Sequence, residues 1–293
     1  MTAIPALAPI DAENEANYSL RRRHPERGAV YADYAERSAR VRREAGALVD
    51  VAFGDLPSSR LDLFLPARAQ GAPLLVFIHG GYWRALDKHI FSFIAQPYVR
   101  AGLAVALPNY ALAPAATVTE IVHEVCRSVH WLATEGAQRW GYDAARICVS
   151  GHSAGGHMAA YVASLQNPHP WAHRAVGCVA VSGIFDLLPL LPTSINHDLG
   201  MDAVEAGGLS VKPEALSCGG LICAAGGLET DGFQAQCQAF GHAAGRAGVP
   251  SEVHIMPGRT HFDVLSDMAD ARHPFHAATL RLACGGRKVA GAT

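Results

Sequence analysis

Charge is scarce in this chain. Only 17% of its 293 residues are Asp, Glu, Lys or Arg, against about a quarter in an average soluble domain. The 24 basic and 26 acidic residues nearly cancel, leaving a net charge of −2. Such a balance gives no electrostatic footprint for nucleic acid or an anionic membrane surface. No apolar run is long enough to span a bilayer. The stretch from Met1 to Asn17 lacks the basic start and apolar core of a secretory signal, so a cytoplasmic protein is expected. The seven cysteines, at 126, 148, 178, 218, 223, 237 and 284, form no C-x-x-C pair. Their odd count and their place in strand-like runs (Cys148, Cys178, Cys223) suit small buried hydrophobes in a reducing compartment. The chain has no H-E-x-x-H and no clustered Cys/His spacing, so no metal is expected. It has no G-x-G-x-x-G after a first strand, so no dinucleotide is expected either. The expectation is therefore no cofactor. A small-molecule substrate is the expected partner, with no nucleic acid and no membrane, and a homodimer is the one assembly considered. Repeats and low-complexity segments are absent.

What remains is strongly apolar, 50% of the chain, and it alternates. Residues 1–27 are polar, with a basic cluster at Arg21-Arg22-Arg23, and read as an arm with a solvated surface. Tyr31 to Ala45 reads as a helix ending near Gly46. Leu48–Phe53 and Leu61–Leu65 read as a hairpin, the second alternating like a half-exposed antiparallel strand. Leu74–Ile78, Leu103–Leu107, Arg146–Ser150 and Gly177–Val181 are short apolar runs typical of buried strands, and Leu221–Ala225 and Glu252–Met256 read as the last two strands. Helices are expected over Asp87–Arg100, Thr119–Thr134 with Gly136 as its stop, Phe233–Gly245 and Pro274–Cys284. Leu187 to Ser217 breaks into Pro, Gly and short helical pieces, a small cap over the strand ends. The fold class is α/β: about eight strands in a mostly parallel sheet, covered by helices on both faces. The organisation expected is an N-terminal arm and helix over 1–48, one α/β domain over 49–285 with the cap near 187–217, and a tail over 286–293.

Five turns that follow strands carry the chemistry-bearing residues, where ligands bind in such sheets. The strongest signal is Gly151-His152-Ser153-Ala154-Gly155 after the apolar run ending at Ser150. Strand, tight turn and small-residue helix are the context of a G-x-S-x-G nucleophile elbow. Glycine two before and two after Ser153 removes side chains where the backbone must pass closely. A serine hydroxyl needs a base to take its proton, and the base needs an acid to hold its tautomer. His261, in the polar loop after the last strand, is the expected base. His152 and His157 lie on the wrong side of the turn, and His123, His130, His273 and His276 fit helix surfaces. Glu229 is the preferred acid, with Asp231 and Asp186 left open; Asp231 also suits a helix N-cap before Phe233. The oxyanion donors are expected from Ala154 and from Gly80 and Gly81 in His79-Gly80-Gly81-Tyr82.

These residues resemble the α/β-hydrolase superfamily, in the branch with an HGG motif, and within it the kynurenine formamidase (arylformamidase) group and its bacterial esterase-like relatives. The likeness runs from about Val49 onward. It is carried by His79-Gly80-Gly81-Tyr82-Trp83-Arg84, Asn109-Tyr110-Ala111-Leu112-Ala113-Pro114 and Gly151-His152-Ser153-Ala154-Gly155-Gly156. Ser182-Gly183-Ile184-Phe185-Asp186-Leu187, Thr193-Ser194-Ile195-Asn196, Glu229-Thr230 and His261-Phe262 add to it. The resemblance implies an acid at Glu229, where eukaryotic members usually carry Asp, and hydrolysis of an N-formyl arylamine such as N-formylkynurenine. It implies Tyr82 and Trp83 as walls of an aromatic slot. Arg84 would meet a substrate carboxylate or pair with Asp87. A short-chain carboxylesterase and a non-catalytic binding protein on the same fold are the alternatives.

Overall fold

Short apolar runs can be buried on both faces only if helices cover both sides of the sheet, and that is the arrangement found. The computed structural model describes residues 9–43, 47–169, 171 and 175–285. The proposed tail over 286–293, and Gly46 as a helix stop, lie outside the described residues. Eight strands, β1 (Ala47–Ala52), β2 (Arg60–Phe64), β3 (Leu74–Ile78), β4 (Ala104–Pro108), β5 (Ile147–His152), β6 (Gly177–Val181), β7 (Leu221–Gly226) and β8 (Ser251–Met256), form one sheet. Their spatial order is β1-β2-β4-β3-β5-β6-β7-β8. β2 is antiparallel to both its neighbours, and every pairing from β4 to β8 is parallel. On one face pack the helices Val118–Trp131, Ala154–Val162 and Asp231–Arg246; on the other, Arg27–Arg42, Ala95–Arg100 and Pro274–Ala283.

Several local expectations are corrected. β2 is not half exposed: residues 61–64 are all buried, Asp62 included. Its carboxylate is held by Lys88 Nζ at 2.7 Å, which also binds Asp50 at 2.7 Å. A buried carboxylate survives in an apolar strand only with such a partner. The helix foreseen over Asp87–Arg100 is instead two 3₁₀ turns, Lys88–Ile90 and Ser92–Ile94, before a short helix from Ala95. The Asp87 carboxylate draws in the His89 N–H (2.9 Å), and the Ser38 hydroxyl takes the Phe93 N–H (3.0 Å), so side chains hold the turns apart. Gly136 does not stop its helix. The chain passes through a wide turn, Leu132–Gly136, into Ala137–Trp140 and ends at Gly141, whose φ of 76° is the left-handed stop. Gly136 instead makes room for Tyr142, whose hydroxyl donates to the Leu132 carbonyl at 2.6 Å. His276 is buried, stacked on Tyr98 at 4.4 Å, with Nδ1 3.0 Å from the Met268 carbonyl.

The N-terminal segment departs most from expectation. It contains a helix, Ala12–Tyr18, and a 3₁₀ turn, Leu20–Arg22, with Tyr18 and Leu20 buried. Asp11 caps the helix through the Asn14 N–H at 2.8 Å. Glu15 accepts both the N–H and the hydroxyl of Ser194 (2.7 and 2.6 Å), tying the segment to the stretch 187–217 between β6 and β7. The Asn17 carbonyl accepts the Thr230 hydroxyl, and the Tyr18 carbonyl accepts the Tyr82 hydroxyl, each at 2.6 Å. The segment is thus fastened across the carboxyl ends of the strands. Among the described residues no helix is long and apolar enough to cross a membrane.

Candidate active site

The elbow explains its own sequence. Ser153 has φ 57° and ψ −121°, a conformation strained for any residue with a side chain. Its N–H donates to the Val181 carbonyl at 2.8 Å, which pins the turn to β6. A Cβ on Gly155 would collide with the carbonyl oxygens of Ile78 and His79. One on Gly151 would collide with the Gly155 carbonyl and lie 2.9 Å from that of Ile78. The two glycines are there because β3, the turn and the following helix cross at backbone contact. The helix Ala154–Val162 begins directly after the serine, and its first intrahelical bond is His157 N–H to the Ser153 carbonyl. The N–H groups of Ala154, Gly155 and Gly156 therefore have no acceptor within the helix, and the helix presents a positive end to the site.

The oxyanion loop is set by His79. Its ring is stacked 4.2 Å from Tyr110 and 5.9 Å from Phe91, and burial holds its pKa below the usual value. Nε2 donates to Asn109 Oδ1 at 3.0 Å, and Nδ1 lies 2.8 Å from the Gly80 carbonyl. Asn109 is held in turn by Asp87, at 2.8 Å. A Cβ on Gly80 would stand 2.8 Å from the His152 carbonyl and 3.0 Å from Ser153 Cβ, so only glycine brings this loop so close to the serine. Gly81 has φ 119°, followed by Tyr82 at 50° and Trp83 at 53°. Of six described non-glycine residues with positive φ, five (Tyr82, Trp83, Leu86, Ser153, Ser182) lie in or beside these strand-end loops, where strain of this kind accompanies function.

Of the three candidate acids the structure brings only Glu229 to His261. His261 Nδ1 stands 2.8 Å from Glu229 Oε2, with both side chains buried. A carboxylate accepts, so Nδ1 donates to it, which leaves Nε2 as the ring nitrogen available to act as a base. The other Glu229 oxygen accepts the Ser182 hydroxyl and the Gly226 N–H, each at 2.6 Å. Asp186 is exposed and accepts the Leu188 N–H. Asp231 opens the helix Asp231–Arg246, and the cap position falls to Thr230, whose hydroxyl serves Asn17 instead. His152 and His261 stand 4.6 Å apart, centroid to centroid, and His152 Nε2 donates to the His261 carbonyl at 2.8 Å. Burial, reinforced by His261, holds His152 well below the usual pKa, so it anchors the loop as a neutral ring.

Ser153 and His261 line one cavity of about 250 Å³. Among the described residues no hydrogen bond joins the Ser153 hydroxyl to the imidazole; the two share the space without bonded contact, as catalytic pairs often do before substrate arrives. Tyr82 lines the same cavity, together with Tyr31, Phe262 and Ile195. Trp83 does not. It is fully buried, edge-on to His157 at 5.3 Å, and packs beneath the oxyanion loop. Arg84 lines the cavity but pairs with Asp198, not with Asp87. The sequence reading missed Ser19, Leu20, Arg21, Arg27 and Tyr31, which form the roof. The aromatic and basic residues just before the first strand were the only available signal. Among the described residues no group of three or more His, Cys, Asp or Glu could hold a metal ion.

An eight-stranded, mostly parallel sheet with a serine on a strained turn after its central strand defines an α/β-hydrolase. A model of the BD-FAE family matches residues 61–187. The chain is 29% identical to the kynurenine formamidase of Danio rerio over 243 residues, covering 80% of this chain and 81% of that one. A protein of Silicibacter sp. tm1040 with a thioesterase designation superposes with a TM-score of 0.78 at 28% identity, covering 91% and 98% of the two chains. Esterase B of Lactobacillus rhamnosis shares the fold, with a TM-score of 0.69 at 18% identity over 94% and 98%. Within its class the chain is a hydrolytic enzyme, similar over most of its length to kynurenine formamidases and in its fold to esterases.

Proposed function

We propose that this protein is a serine hydrolase that works through an acyl-enzyme, and that its first substrate class is aryl formamides such as N-formylkynurenine. The observation that carries the reading is one cavity faced by Ser153, by His261 on its Glu229 carboxylate, and by the aromatic rings of Tyr31, Tyr82 and Phe262. His261 Nε2 takes the Ser153 proton as Oγ attacks the formyl carbon. The oxyanion receives N–H bonds from Ala154 and from the Gly80-Gly81 loop, donors aimed where charge develops. His261 then gives its proton to the leaving amine, and the C–N bond breaks. Water, deprotonated by His261, attacks the formyl-serine and releases formate and the free hydroxyl. Support for the formamide comes from the long match to a kynurenine formamidase. Short-chain esters are the second reading, since the same serine, base and oxyanion donors cleave an ester by the same steps.

The test is formate release from N-formylkynurenine beside turnover of 4-nitrophenyl acetate, in wild type and Ser153→Ala. The expected result is turnover of both, lost by at least about 10⁴-fold in the variant. Ester turnover without formate would leave the second reading. Equal ester turnover in wild type and variant would mean a binding protein on a hydrolase fold.

A further inference from the structure

The walls of the catalytic cavity are unbalanced in charge. Three arginines line it, Arg21, Arg27 and Arg84, and its described lining contains no carboxylate. Over the whole chain acids slightly outnumber bases, 26 to 24. Arg84 is neutralised locally by Asp198 and also meets the Ile195 carbonyl. The other two are different. Arg27 Nη1 donates to the carbonyls of Arg21 and His24 at 2.7 and 3.0 Å, which fixes the side chain without cancelling its charge. Arg21 makes no ion pair or side-chain hydrogen bond among the described residues. The segment that presents them is bound to the site at both flanks. Tyr82 of the oxyanion loop and Thr230 beside Glu229 donate to its Tyr18 and Asn17 carbonyls. On the far side, His24 and Tyr31 pack against Phe262 at 5.2 and 5.8 Å. Two guanidinium groups outside any described ion pair therefore line the cavity beside Ser153, Arg27 fixed by its carbonyl bonds and Arg21 carried exposed on the anchored segment. A planar fork of N–H donors matches a carboxylate.

We propose that Arg21 and Arg27 are specificity residues that recognise a carboxylate on the substrate, so that the enzyme prefers anionic acyl compounds to their uncharged analogues. The proposal rests on the hydrolase reading for Ser153 as nucleophile, and it is independent of whether the scissile group is a formamide or an ester. The carboxylate bonds to both guanidinium groups in the ground state and in the transition state alike, so recognition appears in KM more than in kcat.

The experiment compares 3-acetoxybenzoate with 3-acetoxybenzamide, esters that differ in charge and little in shape, and N-formylkynurenine with its carboxamide. In wild type the charged member of a pair is expected to have the higher kcat/KM by about tenfold or more, the usual scale for a charge-assisted bond. Arg21→Gln and Arg27→Gln are each expected to bring the ratio toward one, and Arg21→Lys to restore part of it. A ratio near one in wild type overturns the proposal. So does a ratio unchanged in Arg21→Gln, the cleaner variant because that side chain holds no described structural bond. An arginine-dependent ester ratio with no formate release would sink the formamide reading and leave this one standing. Formamide turnover with a ratio indifferent to both arginines would do the reverse.

Discussion

The floor and the roof of the cavity are built by different means. The floor consists of the elbow, the oxyanion loop and the Glu229–His261 pair. Its elbow and oxyanion loop are fixed by backbone crossings so close that Gly80, Gly151 and Gly155 admit no side chain. The roof consists of residues 11–31 and part of the stretch 187–217. Side-chain bonds fasten it over large sequence separations, Glu15 to Ser194 and Asn17 to Thr230 among them. A backbone crossing tolerates one geometry, whereas a set of separate side-chain bonds can be changed one at a time. The lesson is that the two walls of one cavity answer to different constraints, one set by backbone packing and the other by individual side-chain bonds.

The largest expected effect tests the floor as chemistry. Glu229→Gln leaves a group of the same shape that can present an N–H to Nδ1 and select the wrong tautomer. The expected loss is about 10³- to 10⁴-fold in kcat, with Asp231→Asn and Asp186→Asn near wild type. Steady-state kinetics on the three variants checks it, and an equal loss in either aspartate variant would unseat Glu229. Next comes the floor as architecture. Gly155→Ala drives a methyl into the Ile78 and His79 carbonyls, neither of which belongs to a flexible side chain. A loss of about 3 kcal/mol or more in stability is expected, read as a fall in urea midpoint or failure to accumulate folded protein. The seam between floor and roof is tested by pH. His157, on the elbow helix, donates from Nε2 to the Leu209 carbonyl of the stretch 187–217 at 2.8 Å, and its Nδ1 is buried without a partner. Burial pushes its pKa down to about 4. Because the folded value lies below the unfolded one of about 6.5, its contribution is whole above pH 6.5 and is lost as pH falls toward 4. The expected decline is on the order of 3 kcal/mol across that window. Urea titrations at pH 7 and pH 4.5 should show it, with a smaller pH difference in His157→Gln.

Much of the floor could be read from the chain alone, because its constraints are local. Five fully buried strands, β3 to β7, announced themselves as apolar runs, and the glycine spacing around Ser153 states the turn directly. Position after a strand narrowed the acid to Glu229, Asp231 and Asp186, with Glu229 preferred, and only the structure put one of them, Glu229, on His261. Trp83 shows the limit of that reasoning. It neighbours Tyr82 in sequence, yet successive left-handed residues turn it into the core under the loop while Tyr82 faces the cavity. Asp62 shows it too, since alternation suggested an exposed face and the partner that lets it be buried, Lys88, lies on a different element. His276 carries no mark that distinguishes a surface imidazole from one stacked on Tyr98.

The sequence by itself determined the sheet, the elbow and the loops that surround Ser153, because hydrophobic runs and obligatory glycines encode geometry within a few residues. Only the tertiary structure decided that the polar N-terminal segment closes the cavity and that Arg21 and Arg27 face it. The contacts responsible join residues roughly 60 to 240 positions apart, and no short-range pattern records a hydrogen bond whose partner lies at the other end of the chain.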